Sequence, residues 1–246
     1  MSFLYNIFGL ALRWIYDITA NYGFSIVLFA FFAKVITIPL SYMQHKSTQM
    51  LKAVTPLQNQ IQKKFAHDKN RANEEIQKLY KTLNYKPLTS CLPMLIQMPI
   101  IIGLFGVLRN PELYSFSAEE YSLVNKAFLW IADMTVSPLD LYKTAIDGAF
   151  FKSLIIPVIS VGLTFYSQKQ SQTGASQESN KMMMIIMNGL IAYMSFTFNQ
   201  GLAIYWTVNT ALSIVQTLIM NKFVHIKIPE ITIKTRKKNS KGGAQR

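Results

Sequence analysis

The sequence predicts an all-α integral membrane protein. Five transmembrane helices run N-out/C-in, with an amphipathic helix on the outer surface and a helical hairpin in the cytoplasm. Three observations carry this prediction. Half of the 246 residues are hydrophobic and only 15% are charged, against roughly 25% charged in a soluble domain. The apolar residues gather into five charge-poor stretches, at about 22–40, 91–108, 150–166, 182–198 and 202–220, each near the ~20 residues that cross a bilayer. Basic residues alternate between the connecting segments, as positive-inside sidedness requires.

Residues 1–21 form the first unit. Ser2, Asn6, Gly9, Arg13, Tyr16 and Asp17 recur at steps of three and four. Phe3, Leu4, Ile7, Leu10, Trp14, Ile15 and Ile18 cover the rest. A polar face of this kind predicts a helix lying in the membrane surface, because a further span would carry Arg13 and Asp17 through lipid. Arg13 also interrupts the apolar run, so the segment does not read as a signal peptide.

Residues 22–220 form the five-span core. Pro93, Pro99 and Pro157 fall inside spans, where neighbouring helices can satisfy the freed carbonyls. Sidedness follows from charge. Segment 41–89 holds nine Lys and Arg, whereas 109–149 holds only Arg109, Lys126 and Lys143 against six acids. Segment 167–181 holds Lys169 and Lys181, and 221–246 is a basic tail. The order is therefore in, out, in, in, with a tight outer turn at Asn199, Gln200 and Gly201. The acids of 109–149 read as a solvated outer loop. Trp14 and Trp130 read as belt residues at the interface.

Segment 41–89 is too long for a passive turn. Met50, Val54, Leu57, Ile61 and Phe65 recur at helical spacing, and Ala72, Ile76, Leu79, Tyr80 and Leu83 do so again. Polar His67, Asp68, Lys69 and Asn70 separate the two stripes. This predicts two antiparallel cytoplasmic helices, with Thr55 and Pro56 restarting the first as cap and first position. Residues 168–181 read as a polar flexible loop.

Polar residues inside the spans are the functional signal. Lys34 sits about twelve residues into the first span, roughly 18 Å deep at 1.5 Å per residue, with Thr37 and Ser41 on its face. An intramembrane lysine costs on the order of 2.5–3.5 kcal/mol on insertion scales. The competing reading is a lysine snorkelling to the head groups. Ser153, Ser160, Thr164 and Ser167 stripe the third span, with Gln168 beside them. Asn188, Ser195 and Asn199 stripe the fourth. Trp206, Asn209, Thr210, Ser213, Gln216 and Thr217 line one face of the fifth. Each stripe alone is ordinary helix-to-helix glue. Three stripes and a lysine point to a water-accessible groove within the bilayer.

Enzyme signatures are missing from the sequence: no phosphate-binding glycine loop, nucleophile elbow or helical zinc-ligand pair occurs. The single cysteine, Cys91, excludes an internal disulfide framework. No cofactor and no metal are expected.

Several stretches carry a family resemblance. Residues 87–100 include Cys91, Pro93, Gln97, Met98 and Pro99. Residues 128–133 read Phe-Leu-Trp-Ile-Ala-Asp, and 199–209 run through Gly201 to Trp206 and Asn209. Together they resemble the YidC/Oxa-type membrane protein insertases, in the short form of Gram-positive-type bacteria. The resemblance implies a multi-pass protein of the bacterial cytoplasmic membrane. It would insert and help fold nascent membrane proteins through a groove open to cytoplasm and lipid. It implies no covalent catalysis. The groove residues it implies are Lys34, Gln168 and Trp206, joined by Thr37, Ser160, Thr164, Asn209 and Ser213 from the stripes. Lys34 stands where family members usually place an arginine; the charge is kept and the planar fork is lost. Expected partners are nascent chains, anionic lipids, the ribosome through the basic tail, and a Sec translocon. The rival readings are a small-solute transporter or channel, and an accessory subunit of a larger translocon.

Overall fold

A computed structural model describes residues 2–83, 92–171 and 177–223. Cys91 and the basic tail from 224 lie outside the described residues. Of the loop expected at 168–181, only 172–176 do; residues 168–171 and 177–181 are helical and extend the flanking helices. Pro93 falls in the first turn of the helix Leu92–Arg109. Among the described residues the chain is helical throughout, apart from one isolated bridge between Phe128 and Ile131.

Helix α1 (Ser2–Thr19) packs across α2 (Tyr22–Ile36) and α5 (Leu92–Arg109). It buries Gly9, Leu12 and Ile15 and leaves Phe3, Leu10, Trp14 and Ile18 exposed. Its polar side binds protein rather than water alone: Arg13 reaches Glu120, and Gly9 lies against the backbone of Tyr114. Asn21 caps α2 by accepting from the Phe24 amide at 2.9 Å.

The first predicted span, 22–40, is not one straight helix. It breaks at Thr37, and α3 (Ile38–Lys64) leaves α2 at 63°. Pro39 explains the break. It has no N–H for the Val35 carbonyl, and its ring would clash with that carbonyl. The Thr37 hydroxyl donates to the carbonyls of Ala33 and Lys34, both at 3.0 Å, and so satisfies the last turn of α2.

The predicted hairpin is present, with one correction. Helix α3 runs unbroken through Pro56, so Thr55 is not a cap. Its hydroxyl donates to the Leu51 carbonyl at 2.7 Å. Packing overrides the proline: Val54 is fully buried with Leu79 and Leu83, and Met50, Leu57 and Ile61 flank them on both sides of the proline. Helix α4 (Lys69–Thr82) is capped by Asp68, which accepts from the Arg71 amide at 3.0 Å.

The segment expected as a solvated loop is ordered. It holds α6 (Pro111–Tyr114), α7 (Ala118–Leu123), α8 (Pro138–Thr144) and α9 (Gly148–Ser153). Its acids are caps. Glu120 and Asp140 complete capping boxes with Ser117 and Ser137, and Asp147 accepts from the amides of Ala149 and Phe150. The apolar helices α10 (Ile155–Ser171), α11 (Gln177–Thr197) and α12 (Gln200–Phe223) follow. Gly148–Gln170 and Gln200–Phe223 are each long and apolar enough to cross a membrane, and the bent α2–α3 pair reaches that length and composition only when its two helices are taken together. Gln97–Arg109 and Met184–Thr197 are shorter apolar stretches. Helix α12 is central: α2 and α10 pack along it, and α11 packs on α10.

Candidate functional site: the polar face of α12

Burial along α12 changes abruptly. Residues 200–205 are all buried, and residues 206–213 are all half-buried. The buried part belongs to the main core, where Ile26 and Phe29 of α2, Leu104 and Val107 of α5, and Ile204 and Tyr205 of α12 meet the segment between α5 and α10 at Phe116, Ile131 and Met134. Apolar burial of this kind closes the helix ends onto one another. In the half-buried part the polar stripe of α12 begins, and the same change occurs on α2. Its residues Phe31, Phe32, Val35 and Ile36 are exposed.

Lys34 lies in this second zone. Its ammonium donates to the Ser213 hydroxyl across the α2–α12 contact at 2.7 Å. That hydroxyl in turn donates to the Asn209 carbonyl at 2.7 Å. A half-buried ammonium thus rests on a hydroxyl with no carboxylate among its hydrogen-bond partners. One positive charge remains at the wall, and a charge with weak local partners attracts anions more strongly in low dielectric than in water.

The other predicted residues fall into separate places. Ser160 of α10 hydrogen-bonds Thr207 of α12, which also donates to the Ala203 carbonyl at 2.7 Å. Thr164, one turn further on, is buried, and its hydroxyl has no hydrogen-bond partner among the described residues. Gln168 accepts from the Asn188 amide of α11 at 2.7 Å. Trp206 faces a small cavity against Ile191, Met194 and Ser195 of α11. Thr37 is turned back onto its own helix. Of the eight predicted groove residues, the structure joins Lys34, Ser213 and Asn209 through hydrogen bonds. It sets Ser160 and Gln168 in pairs of their own and turns Trp206 toward α11.

The family motifs act as fasteners. Gln97 donates to the buried Tyr205 hydroxyl at 3.1 Å, linking α5 to α12. Met98 and Pro99, next along α5, are exposed. Gly201 donates its amide to the Met134 carbonyl at 3.1 Å, and an added Cβ would sit 3.1 Å from the tip of Ile26. Asn199 donates to the Leu108 carbonyl at 3.0 Å. Asn188 is one of the stripe residues that the sequence singles out, whereas Thr207 and Tyr205 are not. Thr207 and Asn188 occupy polar positions in apolar helices, which is the signal that would have found Thr207; the partner of each is visible only in three dimensions.

These features define a class: an apolar helical bundle, packed at one end, with a half-exposed polar wall bearing one lysine. The chain belongs to the 60Kd inner membrane protein family, whose sequence profile matches residues 14–227. It is a protein of the bacterial inner membrane. Named relatives include the membrane protein insertase YidC of Geobacter sp. (strain M21), 31% identical over 214 residues, with 87% of this chain and 36% of that protein covered. The membrane protein insertase YidC of Maridesulfovibrio salexigens is 29% identical over 214 residues, covering 87% of this chain and 37% of that protein. The chain therefore spans little more than a third of the length of these relatives. An active YidC insertase crystal structure with its first transmembrane domain resolved shares the fold, with a TM-score of 0.61 at 24% identity over 87% of this chain and 44% of that one.

Proposed function

We propose that this chain inserts nascent membrane proteins and catalyses no covalent reaction. Five spans, contributed by α2 with the start of α3, α5, α9 with α10, α11 and α12, run N-out/C-in. Residues 1–21 lie on the outer surface, the α3–α4 hairpin in 41–89 is cytoplasmic, and 221–246 is a cytoplasmic tail. Lys34, Thr37, Ser160, Thr164, Gln168, Trp206, Asn209 and Ser213 border the groove that receives the substrate. The Cys91–Pro93 and Gln97–Pro99 blocks with Gly201 hold its frame.

The observation that carries this reading is the change from buried to half-buried along α12, with the Lys34–Ser213 pair just inside it. A polar segment entering from the cytoplasm would meet hydroxyls and amides there, which lowers its desolvation cost. Lys34 would hold an acidic group transiently. Burial of the substrate's apolar span in lipid would then drive release. Nascent chains are the primary partners. Anionic lipids, the ribosome at the basic tail and a Sec translocon are further ones, and the charge balance of the tail supports the first two.

The test is insertion of a short, acidic-tailed, single-span protein into liposomes holding only this chain, read by protease protection of the tail. Protection above that of empty liposomes is expected. Lys34→Ala should lower it on the order of tenfold, since a hydrogen bond to a charged group contributes roughly 1.5–3 kcal/mol. Lys34→Arg should retain it. No protection from the folded protein sinks the insertase reading. Equal protection by wild type and Lys34→Ala removes the lysine from the mechanism.

A further inference from the structure

The outer segment contains a strained apolar tip that the insertion mechanism does not use. Phe128 and Ile131 exchange both backbone hydrogen bonds, each 2.9 Å, around the two residues Leu129 and Trp130. Leu129 has φ 54°. The first position of such a two-residue turn normally carries glycine or asparagine, because a side chain at positive φ crowds its own backbone. A leucine there persists only where its surroundings compensate for the strain. Backbone hydrogen bonds hold the turn, but the side chain itself is not packed among the described residues: Leu129 remains 68% exposed.

The position of the tip indicates what covers it. The segment is fastened on both sides. The Asn21 side chain donates to the Ala127 carbonyl at 3.2 Å, and the Trp130 indole donates to the Lys152 carbonyl at 3.1 Å. The tip thus bridges the ends of α2 and α9. Both ends carry exposed rings there, Phe24 on α2 and Phe151 on α9. Leu129 and Phe24 share one shallow cleft rimmed by Thr19 and Asn21. The tip therefore continues the apolar surface that the helices present to lipid. Trp130 has the amphipathic character of an interfacial anchor, with its N–H satisfied and its ring half-exposed.

We propose that the Leu129–Trp130 turn is a lipid-docking wedge, inserted into the interface of the outer leaflet and fixing the outer segment against the bilayer. The leaflet rests on the N-out/C-in orientation proposed above. Burial of the leucine in lipid is the side-chain packing that the described residues do not provide.

The experiment uses the full chain in phosphatidylethanolamine–phosphatidylglycerol vesicles. A nitroxide is placed at Leu129→Cys in a Cys91→Ser background, and collisions with oxygen and with a water-soluble nickel chelate are compared. Oxygen should dominate; dominance of nickel would overturn the wedge. As a second measurement, Trp130 is left as the only tryptophan by Trp14→Phe and Trp206→Phe. Lipids brominated near the head group should quench it. Leu129→Gly, which fits the positive φ, should lose that quenching. Quenching unchanged in Leu129→Gly would also overturn the wedge. Sidedness is read separately, with a membrane-impermeant maleimide at Ser122→Cys. Labelling only from the interior would overturn the orientation, and with it the leaflet, while the depth measurement stands by itself.

Discussion

The segment from α6 to α9, outer in the orientation proposed above, and the α3–α4 hairpin, inner in it, are both helical additions to the same bundle, yet they are held in different ways. The outer segment is stitched to distant parts of the chain. Arg13 of α1 makes a two-pronged contact with Glu120, at 2.7 and 2.9 Å, and lies over the Phe116 ring. Tyr22, Phe116 and Tyr121 meet edge-on or stacked. The hairpin has a core of its own, made by α3 and α4 alone, and its ion pair between Lys78 and Glu75 lies within one turn. Beyond the start of α3, where it packs on α2, α5 and α12, hydrogen bonds tie the hairpin to the bundle: Lys52 to the Gln170 carbonyl at 3.2 Å and Gln49 to Asn221 at 2.9 Å. Long-range apolar packing makes a region melt with the whole, whereas a private core allows it to open alone. An insertase would need that division, with a sealed outer side and a movable inner side.

The largest expected effect lies in the outer half. A Cβ at Gly9 would stand 2.1 Å from the Tyr114 backbone oxygen, and backbone cannot step aside as a side chain can. Gly9→Ala should cost about 3 kcal/mol, the upper end for overpacking. The thermal midpoint in detergent should fall, and the whole bundle should melt with it. Gly162→Ala and Gly189→Ala are the controls, because nothing lies within 4 Å of either added carbon. Equal midpoints for all three variants would mean that the α1 contact is not tight.

The hairpin gives the next effect. Leu79 is 8% exposed and packs on Val54. Leu79→Ala should cost about 2 kcal/mol, the low end for a buried leucine, because a core this small collapses easily around the gap. The loss should be local. Amide exchange in α3 from 50 to 64 and in α4 should accelerate, while exchange in α12 stays as in wild type. If α12 accelerates equally, hairpin and bundle form one cooperative unit and the contrast fails.

The sequence made one of these regions far more legible than the other. The hairpin is periodic, so its stripes alone located Val54, Leu79 and Leu83 in the core. The outer segment has no period. Its acids looked solvated because a capping role depends on turns that only the fold reveals. Two prolines show the same limit. Pro39 breaks the first span and Pro56 does not break α3, although both remove one backbone donor. The difference lies in packing: Val54 and Ile61 hold α3 against α4 across the proline, while Ile36 and Ile38 just before Pro39 are exposed. At the candidate site, Lys34 and Ser213 were legible as costly polar residues in apolar helices. Their pairing was not, since helical spacing gives the face of each helix but not the depth at which two helices meet. The same reasoning explains Trp206, which shares a face with Ser213 by spacing and yet turns toward α11.

The smallest effect concerns the clamp between α1 and α7, and it separates the two regions by pH. Glu120 is held at about 2, well below its ordinary 4.5, first by the Arg13 guanidinium and then by the Ser117 amide and hydroxyl. A carboxyl depressed on folding stabilises the protein fully above its unfolded value and loses that contribution as pH falls toward its folded value. The clamp should therefore hold at neutral pH and weaken between 4.5 and about 2. Both partners are solvent-exposed, so water and salt reduce the contribution. The measurement is the thermal midpoint against pH over that window, at low and high salt, for wild type and Glu120→Gln. The wild-type midpoint should fall with acid more than that of Glu120→Gln, and salt should narrow the gap. Parallel curves would show that the outer segment is held by its aromatic and backbone contacts alone. The outer region would then resemble the hairpin in depending on apolar packing, and would differ only in which helices supply it.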